Sequence, residues 1–158
     1  MTTSPSPRSS NTSDTGGESS DASVISVDRS ALEPGVLIPE LMRTIRLLDM
    51  VAYAGATWDW HRLHYDSDFV SSSGLPGPVI DGQEFGALLV ESLYEWLGSG
   101  IFISKLSFRF REMAFAGDTV VCAGAVEKFD GTTLICTHTL SVGDRVIVAP
   151  ASSEVLFR

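Results

Sequence analysis

The sequence has few positive charges. In 158 residues, 11 lysines and arginines stand against 20 aspartates and glutamates, which leaves a formal net charge of −9. Nucleic-acid backbones are bound by basic surfaces, so this balance argues against a nucleic-acid-binding protein. No apolar run is long enough to span a bilayer, and the polar N-terminus does not resemble a signal peptide. We therefore expect a cytoplasmic protein that acts on neither nucleic acid nor membrane.

Cysteine is also scarce. Cys122 and Cys136 both lie in apolar, strand-like surroundings. Two cysteines do not make a disulfide framework, and neither has a second ligand nearby at the spacing of a zinc finger. We expect two buried thiols that pack as small hydrophobic residues, with a disulfide as the alternative.

Large apolar residues are nearly absent before Val24, where Ser, Thr, Pro, Gly and Asp dominate. Such a segment cannot bury enough surface to offset the entropy lost on ordering. We predict a disordered tail and entry arm over residues 1–35. One folded domain follows over residues 36–158, a length that suits a single hydrophobic core.

Hydrophobic periodicity predicts a strand, two short helices and one long helix. The strand covers residues 42–47, and Asp49 is expected to cap a helix over residues 50–55. A short helix follows Asp66. Over residues 82–97 the apolar side chains fall on one face with a period of 3.6 residues, and three glutamates are expected on the wetter side. These are Glu84, Glu91 and Glu95.

After the long helix the period changes to two, which predicts four strands. The first begins at Ile101, and the others cover residues 119–128, 132–141 and 145–157. Asp130-Gly131 and Gly143-Asp144 are typical hairpin turns. A long apolar helix covered by an antiparallel meander is an α+β architecture of the hotdog type. His138 alternates within a strand, where it would be a surface or a packed residue.

Residues 58–66 concentrate the reactive side chains of the chain. Asp59 and His64 are close enough in sequence to share one water, and such a pair can take a proton from water and return one to a substrate. Alternatively, Asp59 would cap a helix or pair with Arg62. A metal site formed by Asp59, His61 and His64 is the third alternative, although its spacing is not a recognised ligand motif.

These residues resemble the motifs of the MaoC-like dehydratases, which include the (R)-specific enoyl-CoA hydratases. Residues 59–64 are similar to the D-x-N-P-x-H loop of that family, with Asp and His at the same spacing. Residues 78–82 resemble its aliphatic-H-G turn, and residues 106–120 resemble its third recognisable block. Two departures stand out, because His61-Arg62 replaces the Asn-Pro and Asp81 replaces the His before the glycine.

The resemblance implies a single hotdog domain that hydrates trans-2-enoyl thioesters and, in reverse, dehydrates 3-hydroxyacyl thioesters. Asp59 and His64 would be the catalytic pair, and the backbone N–H of Gly82 would bind the thioester oxygen. Three further positions would support them: His61, Arg62 and Asp81. The reaction would need no metal or cofactor, since the substrate itself is a thioester of coenzyme A or of acyl carrier protein.

The resemblance also implies partners. Lys105, Arg109 and Arg111 alternate along one strand face and would contact the phosphates of coenzyme A, unless they form a solvated sheet face. Hotdog domains of this family usually pair, so we expect a homodimer or higher oligomer, or pairing with a second hotdog subunit. The alternative functions are a non-catalytic or pocket-completing subunit and a thioesterase that uses Glu84 or Glu91.

Overall fold

The computed structural model of the protein describes residues 27–158. Of the segment predicted to be disordered, residues 1–26 lie outside this range. The described part begins with a one-turn 3₁₀ helix at Arg29–Ala31, and Leu32 behind it is buried in the core. None of the helices between residues 27 and 158 is long and apolar enough to cross a membrane.

Three α-helices and five strands follow in the chain. The helices are α1 (Leu47–Thr57), α2 (Ser67–Ser72) and α3 (Gly82–Leu97), with a 3₁₀ helix at Arg62–His64 between the first two. The strands are β1 (Leu37–Thr44), β2 (Ile101–Phe110), β3 (Thr119–Phe129), β4 (Thr133–Val142) and β5 (Arg145–Phe157).

The five strands form one antiparallel sheet in the order β1-β3-β4-β5-β2. The predicted α+β class and hotdog arrangement are confirmed, with α3 packed against the sheet. The predicted four-strand meander is wrong in one respect. β2 pairs with β5, where Ile101 faces Phe157, so only β3, β4 and β5 follow one another as hairpins.

Local signals determine where α3 begins and ends. The Asp81 side chain accepts a hydrogen bond from the N–H of Gln83 at 2.9 Å and caps the helix, and Gly98 with its positive φ of 76° ends it. The expected apolar face is buried, including Leu89 and Leu93, neither of which is exposed to solvent.

Helix α1 begins earlier than predicted. It starts at Leu47, and Asp49 is its third residue, not its cap. The Asp49 carboxylate accepts hydrogen bonds from the backbone N–H and the guanidinium of Arg46, each at 2.9 Å, and so stabilises the first turn. Trp58 ends the helix in the left-handed conformation, with a φ of 62°.

Two polar residues, His138 and Ser153, are buried on the neighbouring strands β4 and β5. The His138 imidazole is 3% exposed and lies 2.8 Å from the Ser153 hydroxyl. Burial lowers its pKa to about 4, so it is neutral near pH 7. Cys122 and Cys136 are buried free thiols, as expected.

Candidate active site

The loop after α1 is shaped by short hydrogen bonds from side chain to backbone. Asp59 Oδ1 accepts from the N–H of His61 at 3.1 Å, and His61 Nδ1 accepts from the N–H of Leu63, also at 3.1 Å. The second bond caps the 3₁₀ helix Arg62–His64. Side chains that hydrogen-bond to nearby backbone N–H groups favour turns over helix, and α1 therefore does not continue into this loop.

His64 is anchored to the segment before α3. Its Nδ1 lies 2.7 Å from the carbonyl oxygen of Val79, and the N–H of Val79 donates to the carbonyl of Leu63 at 3.0 Å. A carbonyl oxygen can only accept, so Nδ1 carries the hydrogen and Nε2 of the neutral ring has a free lone pair. The imidazole is therefore oriented and able to accept a proton at Nε2.

Asp59 and His64 lie together with Asp81. One ligand atom from each of the three side chains lies within 4.8 Å of the other two. This spacing can hold one water, and these oxygen and nitrogen atoms can also ligate a cation. The metal alternative from the sequence grouped His61 with the pair, whereas the structure groups Asp81 with it and uses His61 to cap the 3₁₀ helix.

Glu84 is the residue that the sequence placed wrongly. It was expected on the wet side of α3, but only 7% of it is exposed. Burial, the charge of Asp81 and then that of Asp49 raise the pKa of Glu84 to about 7, against an opposing effect of His64. Burial first, then the charges of Asp81 and Glu84, also raise the pKa of Tyr53.

Gly82 is the first residue of α3, so its N–H has no acceptor within the helix. The next two N–H groups donate to Asp81. A Cβ atom at position 82 would lie 2.6 Å from Cζ of Phe110, so the aromatic ring occupies the space that a side chain would need. Glycine at position 82 therefore allows the close approach of Phe110, and its N–H lies at the positive end of the helix dipole.

A cavity of about 370 Å³ opens beside His64 and Gly82. Its walls are mostly apolar, and they include one basic and one acidic residue, Arg111 and Glu112. The lining includes Leu63, Ile80, Phe85, Phe110, Arg111 and Met113. A cavity of this character accepts an apolar chain and places its polar end against the site.

The remaining predicted residues are divided between this cavity and the surface. Arg62 pairs with Asp66 at 2.8 Å, not with Asp59. Arg111 lines the cavity, and its guanidinium donates to the carbonyl of Ala149. Lys105 and Arg109 are exposed on β2.

The sequence profile described as "MaoC like domain" matches residues 35–148. No curated protein sequence matches the chain.

Several solved structures share the fold. The ChsH1-ChsH2 complex from Mycobacterium tuberculosis contains a chain with 22% identity and a TM-score of 0.74, over 80% of this chain and 98% of that one. The (R)-hydratase from A. caviae involved in PHA biosynthesis has 22% identity and a TM-score of 0.75, over 81% and 98%. The R-hydratase PhaJ1 from Pseudomonas aeruginosa has 20% identity and a TM-score of 0.75, over 81% and 83%.

Proposed function

Because the chain belongs to the MaoC-like domain family, we propose that it is a hydratase of trans-2-enoyl thioesters, which in reverse dehydrates 3-hydroxyacyl thioesters. The observation that carries this proposal is the position of His64. Its ring is oriented by the Val79 carbonyl, and its imidazole lies within one cluster with Asp59. An oriented imidazole and a carboxylate around one water are what hydration requires.

The reaction follows from the atoms of this cluster. One member of the pair Asp59 and His64 takes a proton from water while the water oxygen bonds to C3 of the substrate. The C2–C3 π electrons move toward C2, and negative charge builds on the thioester oxygen against the N–H of Gly82. The pair then delivers a proton to C2, and no metal takes part.

The cavity beside His64 suits the substrate. Its apolar walls would hold the acyl chain or the apolar part of the thioester arm, and Arg111 is part of its lining. We propose that the arm belongs to coenzyme A or acyl carrier protein. Lys105 and Arg109 on the exposed face of β2 would then contact its phosphates.

The proposal is tested by incubating the protein with crotonyl-CoA and longer enoyl-CoAs. Hydration is measured as the loss of enoyl-thioester absorbance. Asp59→Asn and His64→Ala should each lower the rate by roughly 10²- to 10⁴-fold, since each removes one acid–base group. Asp68→Asn, which makes the same change on the exposed side of α2, should keep the wild-type rate. Full activity of both site variants would refute the mechanism, and release of free coenzyme A would indicate a thioesterase.

A second candidate is a subunit that acts only with a second hotdog chain. Asp81 in place of the family histidine favours it, and the solved structures with this fold include the HadBC complex from Mycobacterium tuberculosis. Both edge strands also expose large apolar residues, with Leu37 76% and Phe102 47% exposed. A purified chain that is inactive alone and gains activity with a co-purified hotdog partner would support this role, and an active homodimer would refute it.

A further inference from the structure

Glu84 occupies a position that its local sequence does not explain. Asp81 and Glu84 form the D-x-x-E pattern of a capping box, in which the glutamate turns back toward the N–H of the cap residue. The Asp81 side chain does cap the helix, but Glu84 points into the protein and is 7% exposed. Among residues 27–158, its buried Oε2 atom has no hydrogen-bond partner. A carboxyl group buried in this way is costly unless it carries a proton or serves the site.

The charges around Glu84 come from three directions. Asp81 lies at the start of the same helix, Asp49 and Tyr53 lie on α1, and His64 lies on the 3₁₀ helix. His64 is the one group among them that can carry a positive charge. Carboxylates packed this closely do not all ionise, and the most deeply buried one is the one that keeps its proton.

We propose that Glu84 is the proton-holding carboxyl of this site, a positioning residue whose neutral form spares the developing enolate a further negative charge. This inference rests on the proposed hydratase function. Gly82, which would hold the thioester oxygen, lies two residues before Glu84 on the same turn of α3. An ionised Glu84 would repel the enolate and would also stabilise a protonated His64, which can no longer accept a proton from water. The active form of the site is therefore the one in which Glu84 is neutral.

The test compares the pH dependence of hydration in three proteins: the wild type, Glu84→Gln and Glu91→Gln. Glutamine cannot ionise and so imitates the neutral acid. Glu91 lies on the same helix but pairs with Arg43 at 2.7 Å on the surface, which makes it the matched control. Wild-type activity should fall by about tenfold per pH unit above about pH 7. Glu84→Gln should remove this decline, and Glu91→Gln should keep it.

A second measurement does not depend on activity. In protein labelled with ¹³C at the glutamate carboxyls, the signal that disappears in Glu84→Gln should titrate with a midpoint near pH 7. If Glu84→Gln fails to fold, Glu84→Leu is another neutral variant of similar size with which the Glu84 signal can be assigned. A midpoint in the ordinary range of glutamate, or an unchanged alkaline decline in Glu84→Gln, would overturn the inference. A wild type that hydrates no enoyl thioester would refute the proposed function, while the ¹³C midpoint would still decide whether Glu84 holds a proton.

Discussion

Two glycines one turn apart on α3 should respond to the same substitution in opposite ways. A Cβ atom at position 82 would lie 2.6 Å from Cζ of Phe110, and one at position 86 would lie 2.9 Å from Cζ of Phe108. Carbon atoms in ordinary contact are about 3.5–4.0 Å apart, so either ring must retreat by roughly 1 Å. The two positions differ in whether there is free space into which the displaced ring can move.

Phe110 can retreat and Phe108 cannot. Phe110 is 55% exposed, whereas Phe108 is partly buried against the core cluster around Leu89. Overpacking a core costs about 1–3 kcal/mol, while alanine gains about 0.5–1 kcal/mol over glycine inside a helix. We therefore expect Gly86→Ala to lower the free energy of unfolding by about 1–2 kcal/mol. Gly82→Ala should change the free energy of unfolding by less than about 1 kcal/mol.

Activity should change in the reverse order. Gly82→Ala adds a methyl group in the space that the Phe110 ring occupies, and it displaces this ring within the cavity beside the backbone N–H proposed to bind the thioester oxygen. Alanine keeps the N–H but crowds the approach to it, and a donor that the substrate cannot reach costs up to about 10²- to 10³-fold in rate, so Gly82→Ala should be impaired while folded. Gly86→Ala should remain active below its unfolding transition, since position 86 does not line the cavity.

Urea denaturation followed by Trp fluorescence measures the first effect, and crotonyl-CoA hydration measures the second. The double variant Gly82→Ala/Phe110→Ala separates the two causes, because it removes the ring but keeps the methyl group. A fully active Gly82→Ala would refute the requirement for glycine at this position. A Gly86→Ala protein as stable as the wild type would refute the packing argument.

Three further predictions concern protons and metal. The Glu84 pKa of about 7 against an unfolded value of 4.5 means that wild-type stability is lost as pH rises through that window. The free energy of unfolding of Glu84→Gln should therefore rise relative to the wild type by up to about 3 kcal/mol between about pH 5 and pH 8. The same pH dependence of unfolding in both proteins would contradict this. His138, with a pKa lowered from 6.5 to about 4, should make the wild type less stable as pH falls through that range, and His138→Gln should lack this loss in acid denaturation. In the proposed mechanism Asp59 and His64 act on water without a metal, so dialysis against EDTA should leave hydration unchanged. A loss of activity that Zn²⁺ restores would assign the cluster to a metal.

The elements whose limits depend on local interactions could be predicted from the sequence. The limits of α3 were predicted at about Gly82 and Leu97 from its regular apolar period and the glycines that follow it. The structure adds that Asp81 caps the first turn. The hairpins β3–β4 and β4–β5 were predicted for the same reason, since turn residues and alternation identify them within short stretches.

Features that depend on contacts between elements distant in sequence were not predicted. Strand β2 carries no local sign that it pairs with β5 and not with β3, because sheet order depends on how the chain closes around α3. Glu84 fits the charged side of a helical pattern, but the tertiary structure buries that position, and the charges of Asp49 on α1 and His64 on the 3₁₀ helix act on it. The approach of Asp81 to Asp59 and His64 is likewise set by the bond from His64 to the Val79 carbonyl, which connects two separate segments.

The pairing of β2 with β5 also governs the order in which this protein can acquire its structure. As the chain leaves the ribosome, β2 emerges before β3 and β4 but finds its partner strand only when β5 follows them. Pairings of such long sequence separation form slowly, because the intervening loop must close first. Until then the apolar side of α3 remains incompletely covered. Folding should therefore complete in one late cooperative step instead of accumulating strand by strand during synthesis, and nascent chains ending before β5 should depend on chaperones.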